Sequence, residues 1–324
     1  MKSIIYIVPY FGKLPKNFQI WLNSCAFNSS INWIVFTNDR DKYLVPENVK
    51  MVYMEFDEIR KLIQSKYDFD ICLDRPWKLC DFKVAYGDIF ADYIKEYDFW
   101  GHCDLDLIWG NIRKFINDDI LNRYEKIGFQ GHSTLYKNID SVNFRYKTSI
   151  AGIPDFKKIF ESTKGYAFDE VVICEMYDRM GIAYYKDTNF AHLSKYTPSF
   201  NLEYLPTEMD ELNKNQVFLF SNEGLFRYSL VKKNIIRQEY MYIHFFCRPM
   251  IYKAKNNQNI KYLIYPDKVV DFNKSLDIKI IKKYGHKNKI KYFISSIYVN
   301  RKKLTIKKII FNLKKYIKVN REKR

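Results

Sequence analysis

The residues best suited to do chemistry are Asp104 and Asp106, one position apart at the end of the apolar, aromatic run Tyr97-Asp98-Phe99-Trp100-Gly101-His102-Cys103. On an extended chain, residues two apart face the same side. Two carboxylates brought together at a largely buried strand end repel each other and lose hydration unless a counter-ion offsets both costs. A hard divalent cation, Mg²⁺ or Mn²⁺, held by few protein carboxylates and completed by phosphate oxygens, meets that need. Spacing alone does not choose this pair, because Asp39/Asp41 and Asp68/Asp70 repeat it. Asp39/Asp41 falls in a turn after an early strand, and Asp68/Asp70 in a polar connector. Only Asp104/Asp106 follows a helical segment and an aromatic strand and leads into a second apolar run, Leu107-Ile108-Trp109.

Three further groups have the right residue types. Asp169 and Glu170 open a helical run. First-turn carboxylates often only complement the helix dipole, but a carboxylate here could also take a proton from an attacking hydroxyl. His244 and Arg248 lie on the apolar run Tyr240 to Pro249. Their spacing of four puts them on one face of a continuous strand. An imidazole suits Mn²⁺ and a guanidinium suits a diphosphate. Tyr10, Phe11 and Asn38 follow the first two expected strands, where an aromatic can stack on a base and an amide can read it. His132 reads as a structural histidine.

The elements that must carry these residues read as α/β. Ser3 to Val8 is a continuous β-prone run, suited to a strand buried on both faces. Asn17 to Asn28 has helical spacing. Ile31 to Thr37 and Val49 to Phe56 are further strands, and Asp57 is expected to cap the next helix. From Lys78 the apolar positions Leu79, Phe82, Val84, Ala85, Ile89, Phe90, Tyr93 and Ile94 mark one side of a helix that feeds the Asp104 strand. Ile112 to Ile127 is expected to be helical, and Gly128 to His132 a short strand followed by a polar loop. Alternating strands and helices predict an α/β sandwich with a mainly parallel central sheet.

The strings WKLCDFKVAYGDIF and YDFWGHCDLDLIWG resemble the GT-A glycosyltransferases, and in particular a bacterial group from surface-polysaccharide (capsule and O-antigen) clusters. The resemblance spans about residues 1–255. It implies a GT-A-like, Rossmann-type α/β/α fold and a hexosyltransferase activity using Mn²⁺ or Mg²⁺ and a nucleotide-sugar donor. UDP is the default nucleotide, and galactose, as pyranose or furanose, the sugar suggested by the group. Carried over residue by residue, it gives Asp104 a ribose or metal-water contact and Asp106 a metal bond, with His244 as a third ligand. Asp81, with Lys78 or Lys83, is given the nucleotide, Arg248 the diphosphate, and Asp169 or Glu170 the role of base in an inverting transfer. Phe245-Phe246, just after His244, departs from the more polar stretch of the group.

Charge divides the chain. Residues 274–324 hold 18 of the 54 Lys+Arg and only two of the 37 acids, which leaves 36 basic and 35 acidic residues elsewhere and places nearly all of the +17 in the tail. We therefore expect a catalytic domain over 1–266 and a basic extension over 267–324. Within the extension, Ile306, Ile309, Ile310, Leu313 and Ile317 mark one face of a helix over Arg301 to Arg324. A basic amphipathic helix suits an anionic membrane surface, and a polyprenyl-diphosphate-linked glycan acceptor would give that surface a purpose. The competing classes are a non-catalytic GT-A-like binder and a nucleic-acid binder using the tail. The second lacks any reading motif. Six cysteines at irregular spacing, without C-x-x-C, exclude a zinc ribbon or a disulfide framework. Ile4 to Phe11, interrupted by Pro9, reads as a strand rather than a leader, so the expected location is cytoplasmic, against the inner face of the membrane.

Overall fold

Ile4 to Val8 are all buried, as a strand covered on both faces requires. They form β1 (Ile4–Pro9), which pairs in parallel with β2 (Asn32–Thr37), itself parallel to β3 (Val49–Tyr53). On its other side β1 pairs in parallel with β4 (Phe99–Cys103). The chain continues through β5 (Leu107–Trp109), then β6 (Lys126–Gln130) and β7 (Ser133–Lys137). The six-stranded sheet has the order β3-β2-β1-β4-β7-β6, with β7 antiparallel to both β4 and β6. The α/β expectation with a mainly parallel sheet therefore holds. The structure is a computed structural model and describes residues 1–186, 188–193, 199–200, 202, 215–254 and 260–286.

The chain divides into two units, Met1–Leu105 with Arg113–Thr188, and Asp106–Ile112 with Asn189–Arg324. The first holds the six-stranded sheet. Its core joins Ile5, Ile7, Ile34 and Phe36 to Leu79, Phe82, Tyr86 and Phe90, and on to Phe160, Phe168 and Tyr177. Phe36 stacks on Phe90 with ring centroids 4.7 Å apart, so the segment before β4 lies directly on the sheet.

Local structure departs from the sequence expectations at four places in this unit. The helix Phe56–Gln64 is opened by Glu55, not Asp57: Glu55 N–H donates to Glu58 Oε2 at 2.6 Å, one half of a capping box. Lys78 to Ile94 is not one helix. It is a series of short turns, with 3₁₀ geometry over Pro76–Lys78 and Lys83–Ala85. Ile112 to Ile127 breaks into Ile112–Phe115 and Asp118–Arg123, the second capped by Asn117, before β6 begins. The expected polar loop after His132 is instead β7, whose Ser133 to Tyr136 are buried.

The second unit is β-rich. Strand β8 (Phe190–His192) precedes β9 (Gln216–Ser221), β10 (Gly224–Val231), β11 (Asn234–Tyr240) and β12 (Tyr242–His244). Then come β13 (Ile251–Tyr252), β14 (Tyr262–Tyr265) and β15 (Lys268–Asp271). One sheet has the order β11-β10-β9-β14-β15-β13, and a smaller one β5-β12-β8. The helix Ile278–Tyr284 contributes Ile281 to the core formed by Val217, Leu219 and Leu263. The amphipathic helix expected over Arg301 to Arg324 lies outside the described residues. Among the described residues, no helix is long and apolar enough to cross a membrane.

Candidate active site

Because β1, β2 and β4 run parallel, their carboxyl ends share one edge of the first unit's sheet. The residues that follow them are Tyr10, Asn38 and Asp104. The first two loops are tied together. Gly12 N–H donates to Asn38 Oδ1 at 2.8 Å, and Leu14 N–H donates to Asp39 Oδ2 at 2.8 Å. Tyr10 is 36% exposed, whereas Phe11 is buried edge-on against Phe56. Burial of Phe11 corrects the expectation that it stacks on a base.

Asp104 lies one residue beyond β4, fixed by its N–H to the carbonyl of His132 at 3.0 Å. Its Oδ1 accepts from Lys83 Nζ at 2.8 Å. The same ammonium donates to Gly131 O at 2.8 Å and stands 3.0 Å from Asp169 Oδ2. Burial alone would drive the Lys83 ammonium toward neutrality, but Asp104 and Asp169 outweigh it and hold the pKa well above the ordinary lysine value. Lys83 is therefore a fixed cation between two carboxylates. The 3₁₀ turn at Lys83–Ala85 is the local feature that carries it.

Asp169 is buried in a π-helical turn, Phe168–Val172. Desolvation pushes its carboxyl up to about 6, against the pull of Lys83. Gly131 is packed against it: a Cβ at position 131 would lie 2.4 Å from Asp169 Oδ2. Gly131 N–H also donates to Glu170 Oε2 at 3.2 Å, so both carboxylates meet one glycine.

Lys78 and Asp81 hold the approach to Asp169. Both are buried, and they form an ion pair at 2.7 Å. Lys78 Nζ also donates to the carbonyls of Ile159 and Lys164, at 3.0 and 2.6 Å. Asp81 Oδ1 accepts from Tyr166 and Phe168 N–H, each at 3.1 Å. The clamp brackets Ala167, whose φ of 52° is left-handed. Lys78 and Asp81 therefore shape the loop before Asp169, where the sequence had suggested nucleotide contacts.

In the second unit the functional groups gather on the three-stranded sheet. Asp106 precedes β5, and Phe245 N–H donates to its backbone carbonyl at 2.9 Å. Its Oδ1 is 3.1 Å from His244 Nε2, and its Oδ2 accepts from Cys247 N–H at 2.9 Å. Burial pushes the Asp106 carboxyl up, but these hydrogen bonds bring it below the usual carboxylate value. The N–H of Cys247 reaches Asp106 because Phe246 and Cys247 both adopt left-handed φ, 48° and 54°. Two such non-glycine residues in sequence are unusual, and strain of this kind concentrates at functional sites.

The same turn corrects the expectation of one long strand through Arg248. Strand β12 ends at His244, so the two side chains do not share a strand face. Arg248 is buried, donates from Nε to Pro266 O at 2.7 Å, and lies over the Phe200 ring.

Sequence reasoning missed His192. It is the register partner of His244 in the parallel β8–β12 pairing. The two Nδ1 atoms are 3.2 Å apart, and Phe246 packs on both rings. Burial lowers the pKa of His192 to about 4, with the His244 ring adding to the effect. The only signal in the sequence was a histidine inside a short apolar stretch, Phe190-Ala191-His192, and the strand partner that gives it meaning is distant in the chain.

Asp106 and His244 fit a divalent cation in donor type and spacing. Two ligands about 2.1 Å from one ion at a right angle stand about 3 Å apart, and a carboxylate with an imidazole suits Mn²⁺.

Residues 6–273 match the model of a family described as a family of unknown function, DUF6625. No curated protein matches the chain. Among solved structures, mouse xyloside xylosyltransferase 1 in its apo form is similar over 77% of this chain and 99% of that chain, at 9% sequence identity and a TM-score of 0.40. At that level the likeness says nothing of what this chain does.

Proposed function

The chain belongs to the family of unknown function DUF6625, and we propose that it is a metal-dependent glycosyltransferase with a GT-A-like body. It would move a sugar from a nucleotide-sugar donor to a hydroxyl of a growing glycan. The observation that carries this reading is the Asp106–His244 pair, 3.1 Å apart, with the second carboxylate oxygen held by Cys247 N–H. Asp104, two residues before Asp106 in the chain, is the natural companion. The carboxyl edge of parallel strands is where α/β sheets bind ligands, which supports a nucleotide near Tyr10 and Asn38.

In this reading Asp106 and His244 hold Mn²⁺ or Mg²⁺, with Asp104 contacting ribose or metal-bound water. An ion bound there supplies positive charge for the departing nucleoside diphosphate. Lys83 orients Asp104 through their 2.8 Å contact. Asp169, or its neighbour Glu170, accepts the proton of the acceptor hydroxyl as that oxygen attacks the anomeric carbon, and configuration inverts without a covalent intermediate. A raised pKa suits Asp169 to that task, because a base near neutrality gives and takes a proton most readily. The donor we favour is a UDP-sugar, with galactose as the first sugar to try. The acceptor we favour is a lipid-linked bacterial surface polysaccharide, which the cationic tail would bring within reach at an anionic membrane.

The test is a screen of nucleotide sugars for Mn²⁺-dependent hydrolysis or transfer, alongside thermal stabilisation by nucleoside diphosphates. Turnover of one donor, with stabilisation only when Mn²⁺ is present, supports the enzyme. Stabilisation without turnover of any donor supports a non-catalytic binder. Salt-sensitive binding to nucleic acid with neither effect supports the tail-based alternative.

A further inference from the structure

A second imidazole stands beside His244. His192 and His244 are register partners on adjacent parallel strands, so their side chains rise from the same face of the small sheet. Their Nδ1 atoms lie 3.2 Å apart, with ring centroids at 5.0 Å and an interplanar angle of 64°. A hydrogen bond between two Nδ1 atoms requires that one carry the proton and the other accept it. The opposite edge of His244 is fixed too, because its Nε2 faces Asp106 Oδ1 at 3.1 Å. The three groups thus form a chain, Asp106–His244–His192, in which the proton on the middle ring decides what its outer nitrogen can do.

We infer that His192 is a positioning residue that sets the tautomer of His244. With no cation, Nε2–H of His244 donates to Asp106, and His244 Nδ1 accepts from His192 Nδ1–H. To ligate a cation beside Asp106, His244 must present the lone pair of Nε2, so its proton sits on Nδ1 and is donated to His192 Nδ1. The His192 proton then sits on Nε2. Binding therefore exchanges donor and acceptor between the rings. Phe246 packs against both rings. Metal-ligating histidines commonly depend on such a partner at the other ring nitrogen. This inference rests on the metal reading of Asp106 and His244 and adds to it a residue that does not itself touch the ion.

The test uses the full-length protein with Mn²⁺ as the probe, free ion being followed by electron paramagnetic resonance, together with ¹⁵N NMR of the histidine rings in the presence of Zn²⁺. We expect His192→Ala to weaken Mn²⁺ binding by about 10-fold or more at an unchanged melting temperature. His192→Gln, whose side-chain carbonyl can accept the Nδ1–H of His244, should recover part of the loss. In the Zn²⁺-bound wild type, His244 should carry its proton on Nδ1 and His192 on Nε2. Wild-type affinity in a folded His192→Ala protein would overturn the inference, as would a His192 that keeps its proton on Nδ1 with Zn²⁺ bound. The NMR arm decides the matter if His192→Ala does not fold. Failure of the wild type to bind Mn²⁺ or Zn²⁺ would instead overturn the metal reading on which the inference stands.

Discussion

Lys83 Nζ stands 3.0 Å from Asp169 Oδ2 while also holding Asp104 Oδ1 at 2.8 Å. One buried ammonium thus neutralises a carboxylate from the loop after β4 and another from the π-helical turn. Removing it leaves both without their counter-charge, and breaking a buried pair from one side costs about 3–5 kcal/mol. We expect Lys83→Met to lose about 3 kcal/mol at pH 7 in urea denaturation. Lys83→Met/Asp169→Asn should recover much of that loss. A Lys83→Met protein as stable as wild type would show that the three groups are not energetically linked.

The pH dependence follows from the direction of the Asp169 shift. Its carboxyl rises from an ordinary 3.8 to about 6, mainly through desolvation. The folded state therefore holds that proton more tightly than the unfolded state does. Its contribution to stability is present in full below pH 3.8 and is lost as pH rises through about 6. The change is of the order of 3 kcal/mol at most, since one unit is about 1.4 kcal/mol. Asp169→Asn should flatten the stability profile between pH 4 and 7. A wild-type profile with no decline attributable to this residue would contradict the burial argument.

Gly131 has no room for a side chain, because a Cβ would lie 2.4 Å from the Asp169 carboxylate. Gly131→Ala should displace Asp169 or the loop, destabilising the protein by about 1–3 kcal/mol and lowering transfer further than stability alone explains. The two carboxylates beyond it separate in activity measurements. Asp169→Asn should reduce kcat by two or more orders of magnitude with little effect on donor KM, as loss of a general base does. Glu170→Gln should have the smaller effect, and the reverse ranking would move the base to Glu170.

A cut at residue 266, the domain boundary expected from the charge distribution, would remove the tail. The structure argues for a later one, because β15 pairs with β14 and Ile281 lies in the core of the second unit. A chain ended after His286 keeps these elements and sheds 14 Lys+Arg against one acid, Glu322. We expect it to release from anionic liposomes yet retain turnover of a soluble acceptor. Equal liposome binding by both forms would remove the membrane role from the tail.

Much of the first unit was legible because burial on both faces imposes continuous apolar runs. β1 and β2 were found for that reason, and with them the loops carrying Tyr10 and Asn38. The segment Lys78 to Ile94 was not, because short 3₁₀ and α turns share the apolar spacing of one helix. The run Tyr240 to Pro249 misled for a different reason. Left-handed φ at Phe246 and Cys247 is a tertiary choice that β-prone side chains do not announce. Strands β9 and β10 could have been found from the continuous apolar run Val217 to Phe220 and the turn at Asn222-Glu223-Gly224. His192 could not, since its role comes from a parallel pairing with a strand some fifty residues away.

The most direct measurement compares wild type and Asp106→Ala for Mn²⁺ binding and for Mn²⁺-dependent turnover of the nucleotide sugar found in the screen. The expected result is a folded variant, with an unchanged far-UV spectrum, that loses both. Retained turnover in the folded Asp106→Ala protein at saturating Mn²⁺ would contradict the assignment of this carboxylate and its partner His244 as the centre of the reaction.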